Sequence, residues 1–147
     1  AAAAADLLIH RQIVWRKPHF VFGRGDYHWK HELAFYGWVK GNRPPFFGER
    51  NQTTVWDIDE GGGAIRKDQH HPTQKPVELF AIPIRNHLQS GEICYEPFSG
   101  SGSQFVAAER EWVRCYGIEI EPKYVAVTLE RMASLGCVAQ LAEGPQA

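Results

Sequence analysis

The feature that most constrains the fold is an alternation of helical and extended segments that begins at Pro76. Apolar residues recur every three or four positions in the helical segments, and short apolar runs separate these segments. The expected elements are helix 76–88, strand 92–95, helix 103–111, strand 114–120 and helix 122–135. This order is typical of a parallel sheet with helices on both faces. The sequence therefore predicts an α/β fold.

The apolar stripes of the three helices predict which side chains face the core. The residues expected to face inward are Val77, Phe80, Ile84 and Leu88 in the first helix, Phe105, Ala108 and Trp112 in the second, and Val125, Leu129 and Met132 in the third. Gly136 follows the last of these helices and is expected to end it.

A different pattern precedes Pro76. β-branched and aromatic residues are concentrated at 12–16, 32–39 and 53–58, with Gly and Pro residues between them, which predicts three strands. A last short strand is expected at 137–141.

These segments predict a domain organisation. The N-terminal stretch 1–10 is left out because its five alanines resemble placeholders or the remnant of a tag. The expected parts are a domain at 11–142, divided into three strands with their loops at 11–59, a mobile loop at 60–70 and a ligand-binding half at 71–142, and then a tail at 143–147.

Composition excludes several classes of protein. No apolar run approaches the ~20 residues of a membrane span, and the start lacks the basic segment of a signal peptide. The three cysteines form no CxxC pair, which predicts reduced thiols and a cytoplasmic location. No metal site is predicted, because no Cys or acidic cluster completes the His28/His31 or His70/His71 pairs.

A glycine-rich turn, Glu96-Pro97-Phe98-Ser99-Gly100-Ser101-Gly102, lies between strand 92–95 and helix 103–111. Ligands of open α/β sheets bind at the carboxyl ends of strands, where glycine lets the backbone approach them closely. Glu119 ends the next strand, and its carboxylate can accept hydrogen bonds from both hydroxyls of a ribose. The turn alone is as consistent with a plain tight connection, but the acidic residue favours a nucleoside-containing ligand.

Three motifs together resemble one family. The run from His71 to Leu79, reading H-P-T-Q-K-P-V-E-L, the glycine-rich turn and the run from Gly117 to Tyr124 resemble, in order and spacing, motifs of permuted DNA amino-methyltransferases. The resemblance covers most of residues 11–135. It implies the Rossmann-like sheet of class I methyltransferases, with helices on both faces, and S-adenosylmethionine as cofactor. Glu96 replaces the Asp that is more usual in the family's D-P-F-x-G-S-G turn.

The resemblance also implies roles for residues. The backbone from Phe98 to Gly102 would lie against the methionine part of the cofactor, Thr73 and Lys75 would hold its carboxylate, and Glu119 would bind its ribose. Glu121 suits the ribose less well because Pro122 already begins a helix. The implied cofactor-binding set is Thr73, Lys75, Glu96, Phe98, Ser99, Gly100, Ser101, Gly102 and Glu119.

A motif of this family is missing from the sequence. Its members carry a catalytic D-P-P-Y or S-P-P-Y segment, which in this permuted group precedes everything present here. Arg43-Pro44-Pro45-Phe46 has the prolines but neither the acid nor the tyrosine. In the family fold the strand bearing this segment lies mid-sheet, so the resemblance predicts an incomplete sheet with a gap. A second chain or an N-terminal half outside this sequence is expected to carry the motif.

Charge is distributed unevenly along the chain. Residues 11–50 carry eight Lys/Arg and three Asp/Glu, a net of +5, whereas residues 51–147 carry eight against thirteen, a net of −5. Within the basic part, Arg24, Tyr27 and Trp29 lie in a turn-rich stretch and are candidates for contact with double-stranded DNA. The alternative is that Trp29 packs in the core and the arginines are solvated.

The resulting hypothesis is S-adenosylmethionine-dependent methylation of an exocyclic base amine in DNA, with adenine N6 favoured over cytosine N4. One alternative is a non-catalytic or split methyltransferase half that needs a partner subunit. A nicotinamide-binding Rossmann enzyme is less favoured, because the glycine spacing is not G-x-G-x-x-G.

Overall fold

A computed structural model of the chain describes residues 6–58 and 74–141. Its elements are β1 (Leu7–Val21), β2 (Trp29–Val39), β3 (Val55–Asp57), α1 (Val77–His87), β4 (Ile93–Glu96), α2 (Ser103–Arg110), β5 (Arg114–Gly117) and α3 (Pro122–Ser134). The loop predicted at 60–70, the candidate Thr73 and the tail predicted at 143–147 lie outside the described residues.

A three-stranded sheet in the order β2-β1-β3 contains the basic part of the chain. β1 pairs antiparallel with β2 and parallel with β3, so that Trp15 lies between Glu32 and Trp56. β1 is much longer than the predicted 12–16 and includes residues 7–10. Pairing with β2 extends it past Arg16, where the register shifts near Pro18, a residue that has no N–H to donate.

The second sheet consists of β4 and β5, which are parallel and place Glu96 opposite Gly117. α1 lies beside α2, and α2 lies beside α3. The buried core contains Ala81, Ile84, Ala107, Ala108 and Val113, with Val77, Phe80, Leu88, Cys94 and Cys115 packed against it. The inward face predicted for α1 is therefore confirmed. Burial, together with Cys94, raises the pKa of Cys115 to about 12, so this thiol stays protonated and acts as packing.

Three predictions from the sequence are wrong, two about the core and one about a strand. Trp112 is 77% exposed, because the chain leaves α2 there through a positive φ of 58° and turns the side chain away from the helix stripe. α3 has no buried residue, and Leu129 remains 48% exposed. Residues 137–141 form no strand, since they pair with no described strand. Gly136 ends α3 at a positive φ of 89°, as predicted.

Within the described residues, no strand pair joins the two sheets. This separation is consistent with the gap expected from the missing catalytic strand. The β4–β5 face opposite the helices is correspondingly open: Tyr95 and Tyr116 lie side by side, 59% and 57% exposed, with Ile93 and Ile118 exposed beside them. An apolar sheet face of this kind is normally covered in a complete domain.

Candidate functional site

The glycine-rich turn lies where the sequence predicts it, at the carboxyl ends of two parallel strands. Ile118 N–H donates to the Glu96 carbonyl at 2.9 Å, which extends the β4–β5 ladder to the start of the turn. Ser99 N–H then donates to the Ile118 carbonyl at 3.0 Å. The turn and Glu119 are therefore neighbours at one edge of the sheet, the edge at which α/β proteins bind ligands.

Two glycines of the turn have left-handed backbone conformations, for different reasons. Gly102 has φ +76°, and a Cβ there would come within 2.6 Å of the Thr128 side chain of α3. Gly100 has φ +52°, but a Cβ there would meet no atom closer than the Phe98 carbonyl at 4.0 Å. Gly102 therefore allows close packing of α3, while Gly100 leaves open space on the outer side of the turn.

The Glu119 carboxylate binds backbone on both of its oxygens. Its Oε2 accepts from Gly100 N–H at 2.7 Å, and its Oε1 accepts from Glu121 N–H at 2.9 Å. Glu119 therefore holds the turn against the end of β5, a structural contact in addition to the ribose role that the resemblance implies. A carboxylate offers about four acceptor positions, so the two roles are chemically compatible.

The other candidates in the turn face different surroundings. Phe98 is 85% exposed, and its N–H donates to Glu96 Oε1 at 2.9 Å. Ser99 Oγ donates to the Ile118 carbonyl at 3.2 Å, whereas Ser101 is buried against α3. Phe98 and Gly100 are thus on the open side of the turn, and Glu96, Ser99 and Ser101 stabilise it from within.

Lys75 lies between the turn and the three-stranded sheet. Its carbonyl accepts from Ser103 Oγ at 2.7 Å, at the first residue of α2. Its ammonium pairs with Glu32 and lies 5.6 Å from the Trp15 ring centroid. Lys17 pairs with the same carboxylate at 2.6 Å. Burial opposes ionisation of Glu32, but the two ammonium groups outweigh it and lower its pKa.

Two side chains of α3 that support the turn were not predicted from the sequence. Arg131 Nη1 donates to the Ser101 carbonyl at 2.5 Å and lies 3.3 Å from Ser103 Oγ. Thr128 Oγ1 donates to the Gly100 carbonyl at 3.2 Å. Burial, and secondarily Arg110, lowers the pKa of Arg131. Thr128 and Arg131 are three residues apart and therefore lie on one helix face. This spacing is present in the sequence, but the apolar residues at neighbouring positions make it difficult to recognise.

Of the proposed DNA-contacting residues, Arg24 and Tyr27 lie in the loop that joins β1 and β2, and Trp29 is the first residue of β2. Tyr27 is 94% exposed and Trp29 66% exposed, and Arg24 is exposed beside them. The alternative that Trp29 packs in the core is therefore wrong. Gly23 N–H donates to His28 Nδ1 at 3.3 Å across the loop. The described residues contain no group of three or more potential metal ligands and no helix able to span a membrane.

Comparison with known proteins places these features in a family context. Residues 46–130 match the N6/N4 methyltransferase family, described as DNA methylase. The chain is 31% identical over 104 residues to the type II methyltransferase M.XycI of Xanthomonas campestris pv. cyanopsidis, covering 70% of this chain and 33% of that protein. It is 29% identical over 104 residues to the DNA adenine methyltransferase YhdJ of Escherichia coli K12, covering 69% and 34%. The chain thus spans about a third of the length of these relatives.

A solved structure, the M1.HpyAVI–SAM complex, superposes with a TM-score of 0.73 at 23% identity, covering 89% of this chain and 65% of that one. At this identity the likeness bears on the fold alone. It confirms the predicted α/β, Rossmann-like sheet of class I methyltransferases.

Proposed function

The chain belongs to the N6/N4 DNA methylase family, and from this premise we propose that it forms the cofactor-binding part of an S-adenosylmethionine-dependent DNA methyltransferase. One observation carries the proposal: the glycine-rich turn and the Glu119 carboxylate meet at the carboxyl edge of β4 and β5, joined by the Gly100–Glu119 hydrogen bond of 2.7 Å. The similar M1.HpyAVI structure is a complex with SAM, which supports this choice of cofactor.

The open side of the turn is the proposed position of the cofactor. The backbone around Phe98 and Gly100 would contact its methionine part, and Glu119 would accept its ribose hydroxyls. Thr73 and Lys75 would bind its carboxylate. The Lys75 ammonium pairs with Glu32. It would therefore bind the cofactor's carboxylate either through another of its three N–H groups, while the Glu32 pair is kept, or after it has left Glu32.

The proposed reaction transfers the cofactor's electrophilic methyl group to an exocyclic amine of a DNA base. S-adenosylmethionine, held by the glycine-rich turn and Glu119, would supply the methyl group, and its demethylated product and a proton would be released. The target base is buried in a duplex, so it has to be flipped out of the stack to reach the methyl group. The proposed contact with duplex DNA is the exposed loop with Arg24 and Tyr27, together with Trp29 at the start of β2.

The groups that bind the flipped amine are proposed to come from a D-P-P-Y or S-P-P-Y segment outside this sequence, in an N-terminal half or a second chain. The separation of the two sheets and the open apolar face at Tyr95 and Tyr116 support this proposal. The alternative is a non-catalytic half. A coding sequence upstream of Asp6 that contains D-P-P-Y or S-P-P-Y would favour the enzyme, and an upstream sequence without either would favour the alternative.

We favour adenine N6 as the target because YhdJ is named a DNA adenine methyltransferase. Cytosine N4 remains the alternative, because the name of the family includes both N6 and N4.

We also propose a cytoplasmic location, since the free thiols of Cys94, Cys115 and Cys137 suit a reducing compartment.

Calorimetric titration with S-adenosylmethionine, its demethylated product and NAD tests the proposed cofactor. The chain is expected to bind the first two and not NAD. Binding of NAD without either methionine compound would instead identify a nicotinamide site and contradict the proposal.

A further inference from the structure

A second concave surface lies at the open end of the β1–β2 hairpin, away from the loop with Arg24. This cleft has a volume of about 470 Å³. Its walls include three aromatic and three basic residues: Tyr36, Trp38, Phe46, Arg11, Arg43 and Arg50. We call it the arginine cleft.

The arginines of the cleft have no carboxylate partner among the residues that the structure describes. Other basic side chains of the described residues, such as Arg16, Lys17 and Arg85, form ion pairs with carboxylates. Arg11, Arg43 and Arg50 form no ion pair with any described residue. Glu49 is the one carboxylate in the described lining, and its Oε2 accepts from Asn51 at 3.0 Å. The cleft therefore presents excess positive charge to an anionic ligand.

The aromatic wall is held in place by contacts of its rings with one another and with residues behind them. The rings of His10 and Trp38 stack with centroids 3.4 Å apart, and the Arg43 guanidinium lies 5.9 Å from the Trp38 centroid. Tyr36 stacks on His87 at 5.3 Å, and His87 Nδ1 lies 2.6 Å from the Pro45 carbonyl. These contacts give the arginines a firm, apolar background, which lowers the cost of ordering them around a ligand.

One polar atom of this wall has no internal partner. His10 Nε2 is buried and makes no hydrogen bond with any described residue. A buried polar atom of this kind normally pairs with something, and His10 lines the cleft. The cleft wall therefore contains one buried polar atom whose hydrogen-bond partner is not among the described residues.

We propose that the arginine cleft binds the phosphate backbone of duplex DNA, as a contact additional to the β1–β2 loop. The proposal rests on the DNA-directed function proposed above. A guanidinium group binds phosphate through two parallel hydrogen bonds. Three guanidinium groups around one cleft are therefore suited to successive phosphates of a DNA strand and not to an apolar ligand. Tyr36 and Trp29 are seven residues apart along β2, about 24 Å, so the cleft and the loop would contact separate phosphates.

The test measures duplex affinity as a function of salt concentration for the full chain and for a variant with Arg43→Ala and Arg50→Ala. Each lost phosphate contact lowers the slope of log affinity against log salt by about 0.9, so the double variant should lose about 2. A variant with Arg43→Lys and Arg50→Lys should keep most of the slope, since the charge is retained. The control, Arg110→Ala with Lys123→Ala, removes the same charge from exposed positions on α2 and α3.

The outcomes separate this proposal from the one it rests on. If the parent chain binds duplex and the cleft variant keeps its slope, or if the control variant loses as much, the arginine cleft is not a DNA contact. If the parent binds no duplex even at low salt, both proposals fail. Unchanged melting temperatures and circular dichroism spectra of all variants would exclude unfolding as the cause of a lost slope.

Discussion

The two parts of the described chain are held together in different ways. The turn at 96–102 is fixed by contacts between elements of one compact half, with Glu119, Thr128 and Arg131 each binding its backbone. The β1–β2–β3 sheet is fixed by backbone pairing between strands and leaves Trp29 and Phe35 exposed. A short motif was therefore enough to locate the turn, whereas the extent of the hairpin depended on which strands meet.

The contrast predicts that substitutions in the turn cost more than substitutions in the hairpin. The largest effect is expected from Gly102→Ala, because a Cβ would lie 2.6 Å from Thr128 on a backbone with φ +76°. The free energy of unfolding should fall by about 2–4 kcal/mol, combining backbone strain and overpacking. Gly91→Ala is the matched control, since Gly91 has φ +84° but open space around a Cβ. Urea denaturation should show a loss of only about 1–2 kcal/mol for this control. Equal losses would mean that Thr128 moves aside and that α3 does not constrain the turn.

Arg131→Ala should have the next largest effect. It removes the guanidinium that binds the Ser101 carbonyl, and a hydrogen bond to a charged group contributes about 1.5–3 kcal/mol. Both stability and affinity for S-adenosylmethionine should decrease, and Arg131→Lys should restore part of each. Glu130→Ala, an exposed neighbour on the same helix, serves as the control. Normal cofactor affinity in Arg131→Ala, measured by calorimetry, would show that α3 does not shape the cofactor site.

Glu119→Ala should weaken S-adenosylmethionine binding by about 1–3 kcal/mol, because two ribose hydroxyls lose a charged acceptor and Gly100 loses its partner. Glu121→Ala should change the affinity little. Titration calorimetry of both variants decides the assignment, and an unchanged dissociation constant for Glu119→Ala would contradict the ribose role.

In the hairpin, Arg24→Ala should remove about one phosphate contact. The slope of log duplex affinity against log salt should therefore fall by about 0.9. Cofactor affinity should stay the same, because the loop belongs to the other half of the molecule. A slope equal to that of the parent would mean that this loop is scaffold.

The smallest expected effect concerns the junction between the halves. The pKa of Glu32 is lowered, so its pairing with Lys17 and Lys75 stabilises the protein above the ordinary carboxyl pKa. That stability is lost progressively as the pH falls from about 4.5, the ordinary carboxyl pKa, through the lowered pKa of Glu32 in the folded protein. Because the pair is partly exposed, it contributes about 1 kcal/mol or less. Glu32→Gln should flatten this part of the acid-unfolding curve. An unchanged curve would show that the two halves are not coupled through this carboxylate.

Much of the second half could be predicted from the sequence because its signals are local. Apolar spacing located α1, α2 and α3, and Gly136 marked the end of α3. The position of Glu119 followed from the parallel arrangement of two short strands, since their carboxyl ends must meet at one edge.

The tertiary structure decided what local signals cannot specify. The length of β1 depends on its pairing with β2, and the exposure of Trp112 depends on one backbone angle at the end of α2. The apolar sides of α3 and of the β4–β5 sheet are exposed because no described element packs on them. The contact of Arg131 with the turn and the lining of the arginine cleft both bring together residues that are far apart in the chain. Periodicity and turn chemistry act over a few residues and so are readable along the sequence. Pairing, burial and charge neutralisation depend on neighbours that only the folded chain brings together.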